Sequence, residues 1–122
     1  KKDISIEVIN DEYVLGNFAQ FKIENNSDEI LTFNSPCESA DNKENLVIFG
    51  PVNSISYFDQ CSKNKTLKSF KVQPKQTYFL EFKEFSADIF NEEGKYKLHI
   101  KLNTESGEIK ELKTYSFLYE KP

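Results

Sequence analysis

The sequence predicts an all-β, antiparallel sandwich of about seven to nine strands. Two observations carry that expectation. Apolar and polar residues alternate with a period of two, most clearly where Tyr96, Leu98, Ile100 and Leu102 interleave with Lys95, Lys97, His99, Lys101 and Asn103. The alternating runs are short, and groups that favour tight turns separate them, among them Asn25-Asn26-Ser27-Asp28, Ser35-Pro36, Gly50-Pro51, Gln73-Pro74-Lys75 and Glu92-Glu93-Gly94.

The elements follow in chain order. Ile4, Ile6 and Val8 alternate in a strand over residues 3–9, which stops at Asn10-Asp11-Glu12. Ala19, Phe21 and Ile23 mark a second over 17–25, and Leu31 and Phe33 a third over 29–35. Shorter strands are expected over 45–49, 54–58 and 66–73. Tyr78, Leu80 and Phe82 mark another over 76–84. The strands over 95–103 and 108–119 form a hairpin through Glu105-Ser106-Gly107. Residues 84–91 suit one helical turn crossing between sheets, with Ser86 as N-cap and Phe85 and Ile89 four apart. The expected core comprises Ile6, Val8, Phe21, Ile23, Leu31, Phe33, Phe70, Val72, Leu80, Phe82, Tyr96, Leu98, Ile100, Leu102, Tyr115 and Phe117. Residues 36–66 are irregular by comparison, rich in Asn, Ser, Lys and Asp around the apolar stretch from Leu46 to Phe49.

The 122 residues, with 38% hydrophobic and 14% aromatic content, suit a single domain spanning 1–122 with enough apolar bulk to fill a core. Sixteen lysines, no arginine and 20 acidic residues give a net charge of −4. Four lysines and eleven acids lie before Cys61, twelve and nine from there on, so neither half is strongly basic. Without arginine there is no bidentate fork for phosphate or guanine, and nucleic acid is not an expected partner. No apolar run approaches the roughly 20 residues of a spanning helix, and residues 1–20 lack the apolar region of a signal peptide. The absence of Met is the expectation for a processed or excised chain, one in which an export signal or lipid anchor preceded Lys1.

Two cysteines, Cys37 and Cys61, bracket the irregular region and sit among polar loop residues. A disulfide between them would close the intervening loop and remove about 3–4 kcal/mol of entropy from the unfolded chain. That favours an extracytoplasmic protein, periplasmic, cell-surface or secreted; the alternative is a pair of free thiols in a cytosolic domain. With no CxxC and a single histidine, neither zinc nor dithiol redox chemistry is expected. Asn25-Asn26-Ser27 and Asn64-Lys65-Thr66 match the N-glycosylation pattern, as an Asn-rich chain does by chance.

The inventory for catalysis is thin, and the chain is expected not to be an enzyme or to carry a cofactor. His99, the only imidazole, lies on the polar face of the most regular strand between Lys97 and Lys101, and no nucleophile elbow accompanies it. Carboxylates at Glu38, Asp41, Glu44, Asp59, Glu92 and Glu93 fall in or near loops, where solvation is their ordinary role; there is no Trp to support a sugar platform. Glu38, Asp41 and Glu44 offer clustered oxygens to Ca²⁺, but their spacing matches no Ca²⁺ loop, and no metal site is expected.

Two surface features invite a functional reading. Lys95, Lys97 and Lys101, with Lys110 and Lys113 from the partner strand, form either a cationic stripe for an acidic partner or a solubilised face. The stretch Leu46, Val47, Ile48, Phe49, Ile55, Tyr57 and Phe58 around Gly50-Pro51 forms either further core strands or, in part, a disulfide-tethered recognition hairpin. The binding residues expected from these features are Phe49, Pro51, Tyr57, Phe58, Lys97, His99 and Lys101.

The segment Phe21-Lys22-Ile23-Glu24-Asn25-Asn26-Ser27-Asp28-Glu29-Ile30-Leu31-Thr32-Phe33 resembles the strand, Asn-x-Ser-Asp, strand opening of bacterial immunoglobulin-like domains. Val72-Gln73-Pro74-Lys75-Gln76-Thr77-Tyr78 resembles their later turn, with Lys75 where Gly is usual. Gly94-Lys95-Tyr96-Lys97-Leu98 is similar to the tyrosine-corner strand, in which the Tyr hydroxyl ties back to an upstream backbone group. In order and spacing these segments, covering about residues 21–103, are similar to the intracellular proteinase inhibitor (BsuPI-like) family of bacilli and its immunoglobulin-like relatives. The resemblance implies an immunoglobulin-like β-sandwich. It differs in lacking Trp and in carrying a cysteine pair in the middle loop, and no reactive-site residue carries over. The function expected is a non-catalytic binding or adhesion module of an exported or lipid-anchored bacterial protein, engaging a protein or cell-surface ligand. The alternative is a proteinase inhibitor acting through a loop within residues 38–60.

Overall fold

The computed structural model describes residues 3–62, 67–82 and 89–122. Eleven strands lie among them: β1 (Ile4–Val8), β2 (Glu12–Val14), β3 (Gln20–Asn25), β4 (Leu31–Phe33), β5 (Leu46–Phe49), β6 (Ser54–Ser56), β7 (Phe70–Val72), β8 (Gln76–Glu81), β9 (Gly94–Thr104), β10 (Ile109–Lys113) and β11 (Phe117–Glu120). Two 3₁₀ turns, Ala40–Asn42 and Tyr57–Gln60, punctuate the middle of the chain. The helical turn expected over residues 84–91 and the second glycosylation-type motif fall largely outside the described residues.

A small antiparallel sheet is ordered β1-β3-β8, and a large sheet is ordered β2-β11-β9-β4-β7, with β10 and the β5-β6 hairpin also joined to β9. This is the all-β sandwich that the alternation predicts. The eleven-residue β9 organises the large sheet. One of its edges pairs with β11 and then β10, the other with β5 and then β4. Alternation along β9 sends Tyr96, Leu98, Ile100 and Leu102 into the core, where they meet Phe21, Ile23 and Leu80 from the small sheet. One end of the core is aromatic: Phe90 stacks on Tyr119 at 4.8 Å between centroids, and Phe117 meets Phe21 edge-on at 5.5 Å.

β2 has no counterpart in the expected elements. Its three residues bury only Tyr13, too little to show a period; the strand runs parallel to β11 and stacks the Tyr13 ring on Tyr119 at 5.3 Å. The strand expected over 108–119 is in fact two. Thr114 turns inward, donates its amide to Leu98 O at 2.9 Å, and accepts the Leu98 amide on its hydroxyl at 3.0 Å. Tyr115 and Ser116 then both face solvent before Phe117 and Tyr119 return to the core. That extra outward residue shifts the alternation by one and leaves Tyr115 92% exposed, correcting its place in the expected core. Val8 and Phe70 sit at the margin, half-buried.

Asn25, at the end of β3, is fully buried and polar. Its side-chain amide donates to Glu29 O at 2.7 Å and Val72 O at 2.9 Å, while its oxygen accepts from the amide and hydroxyl of Ser27. The Asn-x-Ser-Asp segment is thus a turn that ties β3 and β4 to the end of β7, and Asn25 of the first glycosylation-type motif is a structural residue.

Candidate functional site

The excursion between β4 and β7 builds the most distinctive surface. Cys37 and Cys61 are joined in a disulfide with their Cα atoms 5.1 Å apart, closing a segment of sequence separation 24. Ser35 sets the entry, accepting the Cys37 amide on its hydroxyl at 3.1 Å and donating to Leu67 O at 2.5 Å. Glu38 clamps the exit, both carboxylate oxygens accepting from Ser69, from the amide at 2.9 Å and from the hydroxyl at 2.7 Å. These bonds, the amide first, hold the Glu38 carboxyl below its ordinary value. Glu38 is therefore committed to a structural contact, and no three His, Cys, Asp or Glu side chains gather as a metal-holding group among the described residues.

Within the closed segment β5 and β6 form a hairpin whose turn is fastened by a bond from the Gly50 amide to Asn53 O at 3.0 Å. Both readings of its apolar stretch hold in part. Leu46 and Ile48 are fully buried, whereas Phe49 is 42% exposed and Val52, at the tip, 72%. Pro51 packs against the backbone of Gly94, where an added Cβ would lie 2.7 Å from the Pro51 Cβ; with its φ of +138° Gly94 has no room for a side chain. A Cβ added at Gly50 would likewise lie 2.9 Å from the Tyr96 ring. An open cavity of about 300 Å³ lies beneath the turn, lined by Val52, Asn53, Gln60, Glu92 and Tyr96 among others.

The pairing of β5 with β9 creates the site. Residues with odd numbers on both strands point away from the core, so Val47 and Phe49 share one face with Lys95, Lys97, His99 and Lys101. Val47 stands opposite His99 and Phe49 opposite Lys97; the Phe49 and His99 rings meet diagonally at 4.4 Å between centroids, tilted by 51°. On the other side of β9, Lys113 is opposite His99 and Glu111 opposite Lys101. Burial of the imidazole holds the His99 pKa below its ordinary value, Lys113 and Lys97 act in the same direction, and Glu111 opposes them. Glu111 lies 4.0 Å from Lys113, and Lys95, Lys97 and Lys101 form no ion pair with the described residues. The face therefore presents an aromatic and imidazole platform flanked by unpaired ammonium groups.

Of the expected binding residues, Phe49, Lys97, His99 and Lys101 come together on this face. Pro51 lies at the hairpin tip and Phe58 is partly exposed on the second 3₁₀ turn. Tyr57 is not a surface residue: only 2% exposed, it packs its ring 5.7 Å from Phe82 and joins the core. Lys110 leaves the stripe because it opposes Leu102, on the other side of β10, and pairs with Glu108 at 3.6 Å. Val47 belongs to the face and is absent from the expected set, although its spacing of two from Phe49 is the signal that would have placed it there.

No protein-family model and no curated protein matches this chain. Among solved structures it is similar to the Northeast Structural Genomics Consortium target SoR45, at 11% identity and TM-score 0.49 over 98% of this chain and 84% of that one. It is similar to the periplasmic chaperone SfaE, at 13% identity and TM-score 0.49 over 97% of this chain and 56% of that one. It is also similar to the soluble domain of PmoD from Methylocystis sp. ATCC 49242, at 16% identity and TM-score 0.44 over 96% and 90%. Likeness at this level assigns neither a family nor a function.

Proposed function

We propose that this domain is a non-catalytic, extracytoplasmic protein-binding module that engages an acidic partner through the outer face of its large sheet. The observation that carries this reading is the contact of the exposed Phe49 ring with His99 between Lys97 and Lys101, lysines that form no ion pair with the described residues, Glu111 standing opposite Lys101 but pairing with Lys113. Such a platform offers apolar contact area at low conformational cost, and the ammonium groups around it steer and orient an acidic chain. The face is stiff because β9 is held by strands on both edges and the hairpin carrying Phe49 is closed at its base by the disulfide. The disulfide is also the support for an extracytoplasmic location, since such bonds persist in oxidising compartments.

The test uses a fluorescein-labelled peptide alternating Glu with Phe, followed by anisotropy at low and moderate salt. The wild-type domain binds, with affinity falling as salt rises. Phe49→Ser and Lys97→Glu each weaken binding about tenfold or more, and Lys22→Gln, on β3 of the small sheet, leaves it unchanged. Absence of binding, or binding indifferent to Phe49→Ser and Lys97→Glu, contradicts the reading.

A second reading, proteinase inhibition, draws on the tip of the same hairpin. Val52 stands exposed beside Pro51, in a turn braced against Gly94, as a loop entering a protease cleft requires. A screen against serine and cysteine proteases that shows inhibition abolished by Val52→Asp would favour it over the first.

A further inference from the structure

We infer, resting on that reading of the outer face, that the acidic partner is held more tightly in acid, because one of its carboxylates seats over His99 among Lys97, Lys101 and Lys113. Alternate residues of a strand stand about 6–7 Å apart, so Lys97 and Lys101 flank the imidazole along β9. Lys113 stands opposite it on β10. The bonds from Thr114 N to Leu98 O and from Thr104 N to Glu108 O, both 2.9 Å, give the even-numbered residues of β9 to hydrogen-bonded pairs with β10. His99 and Lys113 are therefore a non-hydrogen-bonded pair, the arrangement that brings opposed side chains closest. On the β5 side the ring meets Phe49 at 4.4 Å between centroids.

The charged groups around the imidazole come from two strands. β9 supplies Lys97 and Lys101, and β10 supplies Lys113 and Glu111, while Val47 and Phe49 of β5 carry no charge. Glu111 stands opposite Lys101 and 4.0 Å from Lys113, so the one carboxylate of the group is taken up by a lysine. Cations are left in excess. In the free protein, burial first and then Lys113 and Lys97 keep the imidazole neutral to lower pH than usual, with Glu111 opposing.

An arriving carboxylate reverses that balance. An opposite charge within about 4–6 Å favours the charged form of a titrating group about tenfold or more. Covering the ring removes water and works the other way, but Phe49 already shields one side of it, so the added desolvation is well short of full burial. Binding therefore raises the His99 pKa, and by linkage the proton raises the affinity by the same factor. The free value lies below 6.5, so affinity climbs as pH falls through the higher bound value and levels off below the free one. Histidine is the side chain whose ordinary pKa lies between about pH 5 and 8, and this chain has one, which gives the effect a single ordinary source on the protein.

The experiment is calorimetric titration with the unlabelled peptide alternating Glu with Phe, at constant ionic strength and at about pH 7.5, 6.5 and 5.5, where glutamates of ordinary pKa stay charged. It is joined to NMR titration of the His99 ring in the free and the peptide-saturated protein. The wild-type affinity is expected to rise about three- to tenfold from about pH 7.5 to about pH 5.5, with the ring pKa higher in the bound protein by the amount that accounts for the rise. His99→Gln flattens the dependence; should that variant not bind, the comparison of the two wild-type ring pKa values decides. Binding whose affinity is flat or falls in acid, or a ring pKa no higher in the bound protein, overturns the inference and leaves the binding face standing. So does a rise of equal size in His99→Gln. No binding at any of the three pH values overturns the reading of the face and the inference together.

Discussion

The hydroxyl of Tyr96 donates to the carbonyl oxygen of Glu92 at 2.6 Å and accepts the amide of the same residue at 3.1 Å. One side chain thus satisfies both main-chain groups of a residue four positions upstream and fixes where β9 begins. Its ring is 2% exposed, and burial pushes the phenol pKa above its ordinary value. Tyr96→Phe keeps the packing but leaves the Glu92 groups unpaired, and is expected to cost about 1–3 kcal/mol. Urea denaturation checks this as a lower midpoint at an unchanged slope.

Asn25 supports a second prediction. Replacing it by Ala removes the amide donor from the carbonyls of Glu29 and Val72 at a fully buried position and frees the Ser27 turn. The expected loss is about 2–4 kcal/mol, at the upper end of what buried hydrogen-bond deletions give. Asn25→Asp, which exchanges the amide donor for a buried charge, is expected to be no better. Thermal unfolding of both variants measures the effect.

Removal of the disulfide acts on the unfolded chain. The Cys37→Ser, Cys61→Ser double variant is expected to lose about 3–4 kcal/mol, from the entropy of a loop of this length. Reduction of the native protein under the same conditions should give a matching shift. Binding to the Phe49 face should weaken less than stability does, because β5 remains paired with β9.

His99 predicts an acid-side loss of stability. Burial and the neighbouring Lys113 and Lys97 hold its folded pKa below 6.5, so the unfolded chain binds the proton more tightly than the folded one. The stability associated with the neutral imidazole is fully present above about pH 6.5, the unfolded value, and falls as pH drops below it toward the lower folded value. His99→Gln removes that component of the slope. Urea midpoints compared at about pH 7.5 and about pH 5 detect it as a smaller difference in the variant than in the wild type.

Much of this architecture is legible in the sequence wherever one strand face is buried and the other is wet. β9 is the clearest case, since eleven residues of strict alternation leave no other register for Tyr96 to Leu102. The tyrosine-corner resemblance also finds its hydrogen bond at Glu92. The misses share a physical cause. β2 buries a single side chain, Tyr115 sits where one extra outward residue breaks the period, and Tyr57 lies in a 3₁₀ turn, where a period of two has no meaning. The site is less legible than the fold. Lys97, His99 and Lys101 are aligned by their own strand, but the arrival of Phe49 beside them depends on the pairing of β5 with β9, a long-range contact that no local pattern encodes.

The most direct measurement is a ¹⁵N NMR titration of the wild-type domain with the acidic, Phe-bearing peptide. The account predicts shifts concentrated at Val47, Phe49, Lys97, His99 and Lys101, largely abolished in Phe49→Ser. Shifts confined to Gly50, Val52 and Asn53 at the hairpin tip, or no saturable shifts at all, would contradict it.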